Sequence, residues 1–185
     1  MKIIIGLGNP EPDYTFTRHN AGKDFVNLFI AKEYEFHGWD HNKRLNADII
    51  RINDSFFAAK TNCFMNESGE VVAALLKYYK LDRREDLIVA YDELDLFVGE
   101  YKLGKAKGSR IHNGVLSVNN VLKTDEYWHL RIGVRDESIP MSIQKAGRDP
   151  SQYVLEKLTT TDRKKIEYSN TNSVIPTLNE LLSKK

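Results

Sequence analysis

The stretch MKIIIGLGNPEPDYTFTRHNAG, residues 1–22, decides how the chain is read. Lys2 to Leu7 is apolar and β-branched, which suits a central strand buried on both faces. Gly6 and Gly8 then let the backbone turn sharply at the strand's C-terminal end, the place where open α/β sheets put their ligands. Asn9, Tyr14, Arg18, His19 and Asn20 lie in that turn or in the residues just after it. None of these side chains belongs in a core without partners, so a surface loop that gathers them points to an enzyme. Gly6-Leu7-Gly8 imitates a dinucleotide fingerprint but fails at the third glycine, where the chain has Glu11 between Pro10 and Pro12. The two prolines also delay any helix, so no helix N-terminus is ready there for a pyrophosphate.

Outward from this stretch the periods alternate. Phe25, Val26, Phe29 and Ile30 recur at helical spacing. Ala47 to Ile52 and Phe56 to Lys60 read as strands joined by Asn53-Asp54-Ser55. Glu67 to Tyr79 reads as a helix, Leu87 to Tyr91 as a strand, Gly99 to Leu103 as a shorter one, Gly114 to Leu122 as a helix and Trp128 to Val134 as an alternating strand. This order predicts an α/β fold: a single three-layer domain spanning residues 1–185, its mixed, largely parallel, twisted sheet flanked by helices on both faces. From Arg135 the chain reads as a loop rich in Gly, Pro and charge. A helical tail over about residues 161–185 comes next, which Pro176 should kink or restart.

Composition narrows the function classes. With 41% apolar residues in 185, one sizeable core is expected. The single cysteine, Cys63, excludes an intrachain disulfide and fits a reducing cytoplasm. No leader and no membrane-length apolar run is read, so no membrane partner is expected. A net charge of +1 carries no global nucleic-acid signal, yet Tyr101 to Lys123 holds Lys102, Lys105, Lys107, Arg110 and Lys123 with no Asp or Glu. That distribution predicts a one-sided basic face. His37 and His41 could share a helix face, but the zincin pattern needs Glu after the first His and Gly38 stands there, so no metal is expected. Ser117 lacks an elbow motif and Cys63 a cationic neighbour in sequence, so neither reads as a nucleophile.

Polar groups recur where strands end. Asn66 lies between a strand and a helix, with capping as its plain alternative. Asp92 closes LIVAYDELDL, where an exposed acidic turn is the plain alternative. His112-Asn113 opens a helix, so it is read either as a cap or as a phosphate or backbone contact at a helix N-terminus.

Taken together, GLGNPEPDYTFTRHNAG, FMNESG, YDELDLFVG, GSRIHNGVLSV and LRIGV occur in order along nearly the whole chain, and they resemble the signatures of the bacterial-type peptidyl-tRNA hydrolase family. The resemblance implies a monomeric enzyme, needing neither metal nor cofactor, that cleaves the ester joining a peptide to the 3′-terminal ribose of its partner, tRNA. By the same resemblance His19 is the catalytic base, Asp92 the carboxylate that orients it, and Asn9, Asn66 and Asn113 the substrate-contacting amides. Tyr14 and Phe64 line the cleft near the terminal nucleotide, with core packing as the plain alternative for each. Lys102, Lys105, Lys107, Arg110 and Arg131 resemble a phosphate clamp. The chain departs from the family at Glu11, Cys63, Arg110-Ile111 and Arg135-Asp136. Two competing readings are a non-catalytic RNA-binding member of the fold, which has no need for His19 with Asp92, and a small-molecule esterase, which leaves the basic stretch unexplained.

Overall fold

The apolar run after Met1 becomes the centre of the sheet. In the computed structural model, which describes residues 1–105, 111–140 and 147–183, β1 (Lys2–Gly6) lies between β4 (Phe56–Thr61) and β5 (Leu87–Phe97) and runs parallel to both. Ile3, Ile4 and Ile5 are fully buried. Side chains alternate across a strand, so Ile3 and Ile5 join one apolar layer and Ile4 the other. Each such burial contributes about 1.5–3 kcal/mol.

The full sheet has the order β2-β3-β4-β1-β5-β7-β6, with β2 Asp40–Asn42, β3 Ala47–Asn53, β6 Tyr101–Gly104 and β7 Trp128–Arg135. The four inner strands are parallel, while β2 and β3 at one edge and β6 at the other pair antiparallel. Helix α1 (Ala21–Glu33) covers one face, later joined by the C-terminal helices; α2 (Ser68–Tyr79) and α3 (Asn113–Leu122) cover the other. This is the mixed α/β domain expected, helices on both faces.

Several details differ from the sequence reading. β5 runs six residues past Tyr91 because it re-pairs with β7 beyond an irregularity between Glu93 and Phe97. Asp92 therefore lies inside a strand and is only 2% exposed, which overturns the exposed-turn alternative. β2 was not foreseen. Gly6 and Gly22 are needed for space: a Cβ on Gly6 would stand 2.5 Å from the Gly22 carbonyl oxygen, and one on Gly22 would stand 2.2 Å from that of Ala90. The Gly6–Gly22 contact seats the start of α1 directly on β1 and β5.

The segment read as a loop contains a short helix, α4 (Pro150–Tyr153). The tail is α5 (Thr160–Ser169), a π-helical turn (Asn170–Val174) and α6 (Ile175–Ser183). Pro176 sits in the first turn of α6, where a missing amide donor costs little, and the change of helical register falls just before it. Among the described residues no helix is long and apolar enough to cross a membrane.

Candidate active site

The parallel register of β1 and β5 sets Gly6 beside Ala90, and Leu7 N–H donates to the Ala90 carbonyl at 2.9 Å. The next residues along each chain segment, Gly8-Asn9 and Tyr91-Asp92, thus emerge side by side at the strands' C-terminal ends. His19 reaches the same edge from a single 3-10 turn, Arg18–Asn20, that leads into α1. The turn is clamped from the far end of the chain: His19 N–H donates to the Val154 carbonyl at 2.8 Å and Arg18 N–H to that of Glu156 at 3.1 Å. Arg18 itself, read from sequence as part of the reactive cluster, is a bracket. Its Nε donates to the Val134 carbonyl at 3.2 Å and its guanidinium lies 4.2 Å over the Tyr153 ring.

His19 and His112 converge on one oxygen of Asp92. His19 Nδ1 and His112 Nε2 each lie 2.8 Å from Asp92 Oδ1, and the two rings are 4.8 Å apart. The tautomers are set by the partners. Val115 N–H donates to His112 Nδ1 at 3.2 Å, so His112 presents its proton at Nε2 and caps α3 with the other nitrogen. Burial works against ionising Asp92, yet the charges and hydrogen bonds of His19 and His112 hold its carboxyl far below the usual carboxylate range. Burial also opposes a charge on His19, but Asp92's charge and hydrogen bond outweigh it and raise the imidazole's pKa. With Nδ1 donating to Asp92, His19 turns Nε2, an acceptor in the neutral ring, toward a cavity of about 260 Å³ shared with Ile111, His112, Asn113, Pro150 and Val154.

Asn9 is held by a network that leaves one function open. Its N–H donates to Asn20 Oδ1 at 2.8 Å; its carbonyl accepts from Asn20 Nδ2 at 3.2 Å and from buried Lys23 Nζ at 3.1 Å. Its side-chain Oδ1 accepts from Met65 N–H at 2.9 Å, which fixes the amide and leaves Nδ2 as a donor. The ligand atoms of His19, Asp92 and His112 lie within 4.8 Å of one another, a spacing at which a metal ion could be held. Both imidazole nitrogens facing Asp92 act as hydrogen-bond donors, however, so neither offers a lone pair in this arrangement.

Similarity to known proteins assigns this architecture. The family model described as peptidyl-tRNA hydrolase matches residues 3–185. The chain belongs to the peptidyl-tRNA hydrolase family. It is 36% identical over 168 residues to the peptidyl-tRNA hydrolase of Mycobacterium avium, covering 87% of this chain and 81% of that protein. It is 37% identical over 141 residues to that of Coxiella burnetii, covering 72% and 70%. The crystal structure of peptidyl-tRNA hydrolase from Acinetobacter baumannii superposes with a TM-score of 0.83 at 25% identity, covering 98% of this chain and 88% of that one. Family membership makes the protein an esterase.

Around the His19 cavity the other predicted residues are distributed unevenly. Asn113 shares the His19 cavity. Tyr14 and Phe64 meet edge-on at 6.3 Å, and Phe64 is 52% exposed, so core packing does not explain it. Asn66 is exposed and lines a different cavity with Cys63 and Ser117; it caps no helix, since the residue before α2 is Glu67. Burial, aided by Glu67, pushes the Cys63 thiol up to about 11, which suits an inert cysteine. His41 bonds Asp48 at 2.6 Å and His37 lies 3.8 Å from Glu35, so the two do not form a pair.

The basic face is less one-sided than its sequence. Lys105 pairs with Glu85 at 2.7 Å and Arg131 with Glu93 at 3.8 Å, carboxylates supplied from outside the acid-free stretch. Lys102 is exposed on edge strand β6, directly opposite Arg131. Lys107 and Arg110 lie outside the described residues. The residue that sequence reasoning underrated is His112. Its capping role was legible locally, but its bond to Asp92 depends on a strand twenty residues away in sequence.

Proposed function

We propose that the protein hydrolyses the ester between a peptide, or an N-blocked aminoacyl group, and the 3′-terminal ribose of tRNA, with His19 as general base. The hydrogen bond from His19 Nδ1 to buried, ionised Asp92 carries this reading, because it leaves Nε2 as the basic nitrogen facing the cavity. A water molecule attacks the ester carbonyl as its proton passes to Nε2. Asp92 stabilises the imidazolium that forms, as in a hydrolytic triad without the serine. Asn9 Nδ2 and the Asn113 amide donate to the developing oxyanion. The imidazolium then returns its proton to the ribose 3′ oxygen as the acyl C–O bond breaks, releasing the peptide carboxylate and free tRNA.

Half-buried Tyr14 and exposed Phe64 form an aromatic edge suited to stacking the terminal nucleotide, with Asn66 contacting the chain further along. Lys102, Lys105 and Arg131 supply phosphate contacts, Lys105 and Arg131 by exchanging carboxylate partners for phosphate. The site acts in one chain, in the cytoplasm, without a cofactor.

Replacing His19 by Ala tests the assignment directly. Release of free tRNA from N-acetyl-aminoacyl-tRNA should be abolished while tRNA binding persists, since the phosphate contacts lie elsewhere. Turnover at the wild-type rate in this variant would overturn the base assignment.

A further inference from the structure

A second cavity lies behind the catalytic turn and shares no lining residue with the first. It also encloses about 260 Å³, between α1, α5 and the segment that carries Phe16. Phe16, Leu28 and Ile166 give it an apolar wall, and Asp24, Asn27 and Asn170 give it a polar one. Among the described residues, none of these three polar side chains has a hydrogen-bond or ion-pair partner. Asn170 is the telling case, because the residue is only 4% exposed, lines this cavity and has no partner for its amide among the described residues.

The backbone departs from regular geometry on two sides of the same cavity. Phe16 adopts a positive φ of 62°, uncommon for a bulky residue, and Asn170 opens the π-helical turn Asn170–Val174. Such features cost stability and gather at functional sites.

The charges select a ligand. Arg163 lies 4.3 Å over the Phe16 ring, and Glu167, one turn along the same helix, faces the cavity with the opposite charge. These two offset each other on the cavity wall, and among the described residues no cation stands within ion-pair distance of Asp24; Lys23, Arg163 and Lys60 act on it only from further away. Burial, with Glu11 nearby, pushes the Asp24 carboxyl up to about 7. A carboxylate beside two amides, each able to turn its oxygen to a donor, and an apolar wall has the chemistry of an ammonium site.

We propose that this cavity binds a small primary amine with an aromatic or branched aliphatic body, its ammonium on Asp24, Asn27 and Asn170 and its body against Phe16, Leu28 and Ile166. This assignment is independent of the hydrolytic mechanism.

The probe is 2-phenylethylamine, titrated calorimetrically into the full-length protein at about pH 8, with 2-phenylethanol as the neutral analogue. The amine should bind saturably and at least ~tenfold more tightly than the alcohol. Asp24→Asn should abolish that preference, with a melting temperature at or above wild type, because burial and the neighbouring Glu11 disfavour the charge that is removed. Asn170→Leu, which removes the opposite polar group, should weaken the amine while sparing the preference for charge; it serves as the deciding variant if Asp24→Asn fails to fold. Binding should also weaken as pH falls through about 7, since protonated Asp24 cannot pair with an ammonium. The charged groups acting on Asp24 are Glu11, Lys23, Arg163 and Lys60, with Glu167 on the cavity wall. Equal affinity for amine and alcohol, or an Asp24→Asn variant that keeps the preference, would overturn the proposal.

Discussion

His112 performs two jobs that one substitution separates. Its Nε2–H donates to Asp92 and its Nδ1 caps α3 by accepting from Val115 N–H. In His112→Asn the shorter side chain remains a good cap but no longer reaches Asp92. Hydrogen bonds to charged groups are worth about 1.5–3 kcal/mol, and Asp92 Oδ1 accepts two of them, so losing one strengthens the hold of Asp92 on His19. If about 1 kcal/mol of that strengthening reaches the charged imidazole, the His19 pKa rises by about 0.7 unit at 1.36 kcal/mol per unit. The sign is fixed, because a stronger anionic partner favours the protonated ring. Only neutral His19 accepts a proton, so the acid limb of the rate profile should move to higher pH while the plateau is preserved. His112→Ala should show the same shift and also lose the cap, making it about 1 kcal/mol less stable than His112→Asn. Single-turnover release of tRNA from N-acetyl-aminoacyl-tRNA, followed across the histidine range beside thermal melts, measures both. An acid limb that stays put in His112→Asn would refute the shared-carboxylate argument and reduce His112 to a cap.

Asn9→Ala should slow the chemical step by about 10²-fold through loss of an oxyanion donor. It should also lower stability by about 1–3 kcal/mol, since Met65 N–H loses its acceptor; a lowered melting point with an unchanged single-turnover rate would assign Asn9 to structure alone. Replacing Lys102 and Arg131 together by alanine should weaken tRNA binding and flatten its salt dependence, by roughly 0.9 in log–log slope for each duplex phosphate no longer engaged. Cleavage of a minimal peptidyl-adenosine ester should be unaffected, and equal loss on both substrates would remove these residues from the phosphate contact.

What the sequence disclosed was governed by local periodicity. β1, the β3–β4 hairpin, α2 and β7 were legible because apolar residues repeat at two or at three to four positions. β2 was not, because Asp40–Asn42 is polar and pairs only along the edge of β3. The extension of β5 was hidden by Asp92, Glu93 and Asp95, whose acidity reads as a turn until the two histidines on Asp92 are in view. His19 and Asp92 were found through family signatures, whereas the His112 link is a long-range contact with no periodic trace. The basic face was overestimated for the same reason, since Glu85 and Glu93 reach it from other elements. Arg18, polar and adjacent to His19, resembled a reacting group; only the carbonyls of residues 134, 156 and 157 around it reveal a structural part.

The clamp on the His19 turn ties chemistry to the order of synthesis. Val154 and Glu156 accept the backbone N–H groups of His19 and Arg18, so residue 19 is held by a segment that leaves the ribosome long after it. Until that segment is made, the N-terminal half can pair β1 with β4 and β5 but leaves the His19 turn without its acceptors. Contacts of such wide sequence separation form late, and a nascent chain folds from its N-terminal side. The ester that joins this growing chain to its own tRNA therefore faces a His19 turn without its backbone acceptors until the C-terminal part has docked.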